Sequence, residues 1–262
     1  MNRFLTACQV DDRVVAAFLG GSYVSGTADA YSDLDLYLIT TDEAYESFLA
    51  GREMFIRILG EPLFLENFGR PDGLFYMFSD ETEGELWIGR ASHFQHLHEG
   101  PYHVLLDKRS ILADVVFPQQ KADPVEQTER LRLAISGFWH EMSHFVKAMG
   151  RGQLWFAYGQ LEALRHMCVN LARLRYNFND AWIGDEPYFK VEQVLPVEQL
   201  SPLQTTYCPM TYDAMLQAAH VIFRFYQASA PSLAKTHGIT YQPGLERMMA
   251  KQLDQLGSVG LS

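Results

Sequence analysis

The sequence predicts an α+β protein, with an N-terminal mixed-sheet domain over residues 1–117 and an all-α helical-bundle domain over residues 118–262. Short apolar runs of strand length, separated by Gly, Pro and Asp, fill the first domain. A polar, Pro-containing linker follows, "FPQQKADP" (117–124). Beyond it, the apolar residues recur at helical spacing over long segments, which is typical of a bundle.

The first domain is expected to start with a short helix over 2–10 and a buried strand, "RVVAAFLGG" (13–21), that ends at a Gly-Gly turn. A loop of small residues, "SYVSGTADAY" (22–31), leads into the second strand, "DLDLYLIT" (33–40). This strand-loop-strand unit contains the residues on which the functional interpretation depends.

A helix is predicted over 43–51, with Thr41 or Asp42 as its cap. Two of the later strands form a predicted hairpin whose turn is "DETEG". The hairpin strands are 73–80 and 84–89, and two further strands are predicted over 62–68 and 103–109.

Four long segments of the second half have helical periodicity. In the first of them, the apolar residues that define one face are Leu131, Ile135, Phe138, Met142 and Phe145. The four predicted helices are 125–150, 153–177, 211–230 and 243–256.

Composition narrows the class of protein. The apolar content of 48 % is enough for a sizeable core. The net charge of −11 argues against a nucleic-acid partner, because gripping a phosphate backbone needs clustered Lys and Arg. The same charge is compatible with a cationic or neutral small substrate, or with a metal-bound nucleotide.

The cysteines and the N-terminus indicate the compartment. Cys8, Cys168 and Cys208 lie far apart and form no CxxC pair, which is typical of a reduced cytoplasm. The N-terminus lacks the apolar run of a signal peptide, and no segment approaches the roughly 18 apolar residues of a membrane span. We therefore expect a cytoplasmic protein with no membrane partner.

The second strand places acids and leucines on opposite faces. Because side chains alternate along a strand, Asp33 and Asp35 point one way and Leu34, Leu36 and Leu38 the other. Two carboxylates so close repel each other unless a cation lies between them. Oxygen ligands without nearby His or Cys favour Mg²⁺, which usually completes its shell with waters and phosphates. The alternative is a surface hairpin with a solvated acidic end.

The turn before these acids adds a phosphate-binding element. Gly21 and Ser22 can offer backbone N–H groups and a hydroxyl to phosphate oxygens. Gly-Ser, a spacer, and then Asp33-Leu34-Asp35-Leu36 resembles the nucleotidyltransferases of the DNA-polymerase-β superfamily. The resemblance implies Gly21, Ser22 and Ser32 as nucleotide-binding residues.

The superfamily also implies a third carboxylate on a neighbouring antiparallel strand. Glu85 of "EGELWIG" is the candidate, with Asp80 and Glu83 as alternatives. A sheet domain followed by a helical bundle resembles the antibiotic nucleotidyltransferases, and the motif spacing resembles their lincosamide branch. "VLLDKRSIL" (104–112) resembles the strand that closes their first domain.

The resemblance implies that Asp33, Asp35 and Glu85 are catalytic and bind Mg²⁺, in a cleft between sheet and bundle. The expected reaction transfers a nucleoside monophosphate, AMP from ATP before other nucleotides, to a hydroxyl of a small lincosamide- or aminoglycoside-like acceptor. Pyrophosphate is the leaving group, antibiotic resistance is the biological outcome, and a homodimer is left open. A general base could be Glu85, Glu141 or Glu162.

Other interpretations stay open at this point. The acceptor could be a protein side chain, or the domain could bind nucleotide without catalysis. "HEMSH" (140–144) matches the zinc-protease pattern H-E-x-x-H, with Glu162 as a conceivable third ligand, but its helix reads as bundle packing. The histidines of "HFQHLHEGPYH" (93–103) fit no standard zinc spacing and are expected to be surface or loop residues.

Overall fold

A computed structural model of the chain describes residues 1–118, 122–179 and 186–259. The chain divides into two compact units, Met1–Gln120 and Lys121–Ser262. The first contains the sheet and the second is helical, as the predicted α+β class requires. Part of the predicted linker, residues 119–121, lies outside the described residues, so the boundary after residue 117 stays a prediction.

The first unit alternates strands with short helices. Its strands are β1 (Val14–Leu19), β2 (Leu34–Thr40), β3 (Pro62–Glu66), β4 (Gly73–Phe78), β5 (Glu83–Arg90) and β6 (His103–Asp107). Its helices are α1 (Asn2–Val10), α2 (Gly21–Ser25), α3 (Tyr45–Ala50) and α4 (Arg52–Leu59). A turn of 3₁₀-helix covers Gln95–Leu97. All six predicted strands are present.

The six strands form one mixed sheet in the order β3-β4-β5-β2-β1-β6. The β4–β5 hairpin is antiparallel, as predicted, and so are the pairs of β1 with β2 and with β6. β2 and β5 run parallel, so the expectation of an antiparallel neighbour for β2 on this side is wrong. The chain between them crosses over through α3 and α4, which is what a parallel pairing requires.

Successive side chains of β2 enter two hydrophobic cores, one on each face of the sheet. Leu36 and Leu38 are buried in the core that also contains Phe4 of α1 and Ile56 of α4. Tyr37, on the opposite face, belongs to a second, aromatic-rich core. The predicted alternation of β2 is therefore confirmed, and its acids lie on the face of Tyr37.

The helix predicted over 43–51 is present as α3, Tyr45–Ala50, but its cap differs from the prediction. The N-cap residue is Ala44, and no side chain caps it. Thr41 does accept a hydrogen bond from the backbone N–H of Ala44 (3.2 Å), but Asp42 accepts one from Ser92 (3.0 Å) and so ties this turn to the residues after β5.

The second unit is a helical bundle. Its long helices are α5 (Pro124–Gly150), α6 (Leu154–Tyr176), α9 (Tyr212–Thr236) and α10 (Pro243–Val259), with the shorter α7 (Val191–Val194) and α8 (Val197–Gln204) between them. The four predicted long helices are thus confirmed. All five apolar residues predicted on the inner face of α5 are buried.

Among the described helices, none combines the length and apolarity that a bilayer crossing needs. All three cysteines are free thiols, and Cys8 and Cys168 are buried.

Candidate active site

Three carboxylates meet where β2 begins beside β5. Asp33 directly precedes β2, and Asp35 is its second residue. In the parallel register, Asp35 lies opposite Glu85 of β5. Because paired positions in a sheet present their side chains on the same face, the pairing places the two carboxylates side by side.

The pKa of Asp35 reflects its burial and the two acids beside it. Burial raises the pKa of Asp35 from 3.8 to about 6, and repulsion from Asp33 and Glu85 adds to the shift. Burial also raises the pKa of Tyr37, and Asp35 and Glu85 reinforce that rise. The folded chain therefore concentrates three acids at one point, with the partly exposed guanidinium of Arg70 beside Glu85 as a cation nearby.

The turn after β1 lies directly against Asp35. The backbone N–H of Gly20 donates to the carbonyl of Asp35 (3.0 Å), which fixes the turn to β2. Gly21 has φ +65°, a left-handed conformation that glycine adopts without strain. A Cβ at Gly21 would lie 1.7 Å from Oδ2 of Asp35. Glycine is therefore required at this position for two reasons: its backbone is left-handed, and a side chain would clash with Asp35.

The two predicted serines differ in what their hydroxyls contact. The Ser22 hydroxyl is buried at the start of α2 and has no hydrogen-bond partner among the described residues. Ser32 accepts a hydrogen bond from the backbone N–H of Asp29 (2.9 Å) and donates to its carboxylate (3.2 Å). Ser22 thus has a free hydroxyl in the turn, whereas Ser32 shapes the loop before β2, and its part in nucleotide binding stays a prediction.

Two residues that the sequence did not suggest hold Glu85. The indole N–H of Trp87 donates to Oε2 of Glu85 (2.9 Å), and a guanidinium nitrogen of Arg70 lies 3.7 Å from Oε1. Arg70 also stacks over the Trp87 ring, 5.4 Å from its centroid. Trp87 could have been found from its spacing of two residues after Glu85, which places both on one face. Arg70 comes from the loop between β3 and β4 and left no such signal.

An aromatic wall supports the glycine turn from behind. A Cβ at Gly20 would lie 2.7 Å from the His98 ring and 2.9 Å from the Tyr37 ring. His98 is buried, which lowers its pKa, and its Nε2 donates to the carbonyl of Pro101 (3.0 Å). This histidine lies in a loop, one of the two places expected for the histidines of 93–103, but it is buried under the turn and not on the surface.

The donor set suits a hard divalent cation. Asp33, Asp35 and Glu85 supply carboxylate oxygens alone. The pKa of Asp35 is raised first by burial and then by repulsion from the other two acids, and a bound cation would stabilise its charged form. The unpartnered hydroxyl of Ser22 adds a polar group beside them. The residues present therefore fit a metal that is bound together with phosphate oxygens.

The bundle residues considered as a general base have other partners. Glu162 accepts hydrogen bonds from Tyr188 (2.7 Å) and from the buried Arg165. It is not part of the cluster formed by His140, Glu141 and His144, whose ligand atoms lie within 4.8 Å of one another. The zinc-protease interpretation loses its third ligand, since Glu162 is bound elsewhere.

Comparison with known proteins extends this picture. The family model described as streptomycin adenylyltransferase matches residues 1–256, almost the whole chain. No curated protein sequence matches. The chain is similar in structure to an aminoglycoside 6-adenyltransferase from Bacillus subtilis, with 16 % identity and a TM-score of 0.46, over 98 % of this chain and 97 % of that one. It is also similar to a nucleotidyltransferase-like protein from Exiguobacterium sibiricum, with 10 % identity and a TM-score of 0.36, over 86 % and 72 % of the two chains.

Proposed function

Because the chain belongs to the streptomycin adenylyltransferase family and is thus a nucleotidyltransferase, we propose that it transfers AMP from ATP to a hydroxyl group of an aminoglycoside and releases pyrophosphate. The observation that carries this proposal is the β2–β5 register, which pairs Asp35 with Glu85 beside the Gly21 turn. Of the two antibiotic classes that the motif suggested, the family favours aminoglycosides over lincosamides.

In this proposal Asp33, Asp35 and Glu85 hold Mg²⁺, in keeping with the general use of divalent metals by such enzymes. When bound, the metal supplies positive charge that offsets the triphosphate and favours deprotonation of the acceptor hydroxyl. The protein buries Asp35 beside the other two acids, and this burial, together with the repulsion, raises the pKa of Asp35 in the absence of a cation.

We propose that the turn at Gly21 and Ser22 contacts the phosphates of ATP. Without a side chain at Gly21, the backbone can approach both Asp35 and a phosphate closely. The Ser22 hydroxyl has no partner among the described residues and can donate to a phosphate oxygen. The hydrogen bond from Gly20 to Asp35 holds the turn in register with the acids.

We propose that the carboxylate of Glu85 contacts the hydroxyl of the acceptor. The hydrogen bond from Trp87 holds one carboxylate oxygen of Glu85, and the guanidinium of Arg70 lies 3.7 Å from the other, so the two contacts favour one orientation of the carboxylate. A carboxylate held in this way can accept the proton of the hydroxyl as it attacks the α-phosphorus, which is the role of a general base. The net charge of −11 attracts a polycationic aminoglycoside over long range.

The direct test is a pyrophosphate-release assay with ATP and Mg²⁺ in the presence and absence of streptomycin, followed by mass spectrometry of the antibiotic. We expect release that depends on the antibiotic, together with an adenylylated product. Glu85→Gln should abolish transfer and keep ATP binding, because the amide preserves shape but cannot accept a proton.

Other outcomes would redirect the proposal. Stimulation by lincomycin but not by streptomycin would identify a lincosamide acceptor. Label from ATP that appears on protein would indicate a protein side chain as the acceptor. Binding of ATP without turnover across an antibiotic panel would indicate a non-catalytic nucleotide-binding module. We propose a cytoplasmic location, which the three free thiols support.

A further inference from the structure

The bundle carries a cluster of metal-ligating side chains that the proposed reaction does not use. His140, Glu141 and His144 lie on α5, and each offers a ligand atom within 4.8 Å of the other two. The cluster lies in the second compact unit, whereas the three carboxylates lie in the first. It does not rest on the proposed function.

Helix geometry brings the two histidines together. Residues four apart lie on the same face one turn apart, and the rings of His140 and His144 have centroids 4.3 Å apart. The Phe156 ring of α6 lies 6.2 Å from the ring of His144. The buried Met142 and Phe145 fix the opposite side of α5 in the core, so the helix presents the pair on a rigid support.

Glu141 supplies the anionic donor. Its Oε1 lies 2.8 Å from Nδ1 of His140, so a carboxylate oxygen is already held beside the imidazole pair. The side chain of His140 is 66 % exposed and that of Glu141 21 %, which leaves the cluster open to ions from solvent. In a tetrahedral site with bonds of about 2.1 Å, ligand atoms lie about 3.4 Å apart. Small changes of side-chain torsion would therefore close the cluster around an ion.

We infer that His140, Glu141 and His144 form a binding site for a borderline transition-metal ion such as Zn²⁺, with water as the remaining ligand. Two imidazoles and one carboxylate are a donor set that Zn²⁺ accepts, whereas Mg²⁺ prefers oxygen ligands and keeps several waters. The donor set of this cluster thus differs from that of Asp33, Asp35 and Glu85, which offers oxygen ligands alone. Glu141 is a ligand here, so the site is not a protease centre.

The test is isothermal titration of the full chain, freed of any histidine tag, with ZnCl₂ in buffer that contains excess Mg²⁺. The excess Mg²⁺ competes with Zn²⁺ for sites made of oxygen ligands alone, and the variants below then assign the remaining heat to residues. We expect one equivalent of Zn²⁺ to bind. His140→Ala and His144→Ala should each weaken binding by at least about tenfold, and the double variant should remove it.

Matched variants separate this site from the alternatives. His103→Ala removes an exposed histidine of the first unit and should leave Zn²⁺ binding unchanged. Asp35→Asn should also leave it unchanged. Circular dichroism checks that each variant is still helical, and Co²⁺ in place of Zn²⁺ should give a tetrahedral visible spectrum that the double variant lacks. Unchanged Zn²⁺ binding in a folded double variant, or its loss in Asp35→Asn, would overturn the inference.

Discussion

Asp35→Asn should make the metal-free protein more stable at neutral pH while it abolishes transfer. Burial raises the pKa of Asp35 from 3.8 to about 6, and Asp33 and Glu85 contribute. A rise of about two pKa units corresponds to about 3 kcal/mol at 1.36 kcal/mol per unit. Because the side chain is partly exposed, screening by solvent reduces this, and we expect a gain of about 1–1.5 kcal/mol in the free energy of unfolding.

The pH dependence of the gain follows from the direction of the shift. Well below pH 3.8 the carboxyl of Asp35 is protonated in the folded and unfolded chains alike, so the variant has no advantage. As the pH rises to about 6, the unfolded chain releases its proton first and the wild-type protein loses stability. Asparagine carries no proton to release, so the difference between the two proteins should grow over this window and then level off.

The assay is thermal unfolding in EDTA at low ionic strength, from pH 4 to pH 8. We expect the Tm of Asp35→Asn to exceed that of wild type by about 2–6 °C at pH 7.5, and the difference to shrink steadily as the pH falls to 4. Adding Mg²⁺ and ATP should raise the Tm of the wild type alone. Asp12→Asn, at an exposed acid, controls for net charge. A variant that is no more stable than wild type at pH 7.5 would refute the reasoning about crowded carboxylates.

Three further substitutions test other contacts. Gly21→Ala should lower the Tm and abolish transfer, because a Cβ there would lie 1.7 Å from Asp35. Thermal unfolding measures the first effect and the pyrophosphate assay the second. Arg70→Ala should lower the Mg²⁺ concentration for half-maximal activity several-fold, because it removes a cation 3.7 Å from the Glu85 carboxylate. Tyr226→Phe should destabilise the chain by about 1 kcal/mol in a urea titration, because a buried hydroxyl loses its 2.8 Å hydrogen bond to a carbonyl of α5.

Each of these has a matched control. Gly26→Ala also introduces a side chain at positive φ, but nothing lies within 4 Å of the added Cβ, so it reports backbone strain alone. Equal losses of activity in the two alanine variants would contradict the steric account of Gly21. Arg109→Ala removes an exposed arginine and should leave the Mg²⁺ dependence unchanged, and Tyr176→Phe changes an exposed tyrosine and should leave stability unchanged.

The sequence predicts the fold well where a periodicity is long or an alternation strict. The leucines of β2 alternate with its acids, and the inner face of α5 repeats over several turns, so both could be assigned without a structure. Helix α2 was not predicted and its residues were expected to form a loop, because "SYVSG" is short and has no apolar stripe. The direction of β5 beside β2 could not be read from local sequence, since it depends on how the whole crossover packs.

For the site, sequence reasoning named the three acids and the Gly21 turn but not what holds them. Asp33 and Asp35 belong to one strand, so their proximity follows from strand geometry alone. The contact of Arg70 with Glu85 joins a loop to a strand, and the packing of His98 behind Gly20 joins a turn to a segment far along the chain. Such contacts are set by tertiary packing, for which one sequence offers no local signal.

The parallel pairing of β2 with β5 has a consequence for synthesis on the ribosome. The Gly21 turn and the first two acids are neighbours along the chain and can meet early, but Glu85 joins them only after the crossover and the β4–β5 hairpin have emerged. A nascent chain that stops short of β5 would therefore carry the Gly21 turn and two acids without the third. If the proposed site is correct, such truncated products would be inactive, because the three carboxylates come together only when β5 pairs with β2.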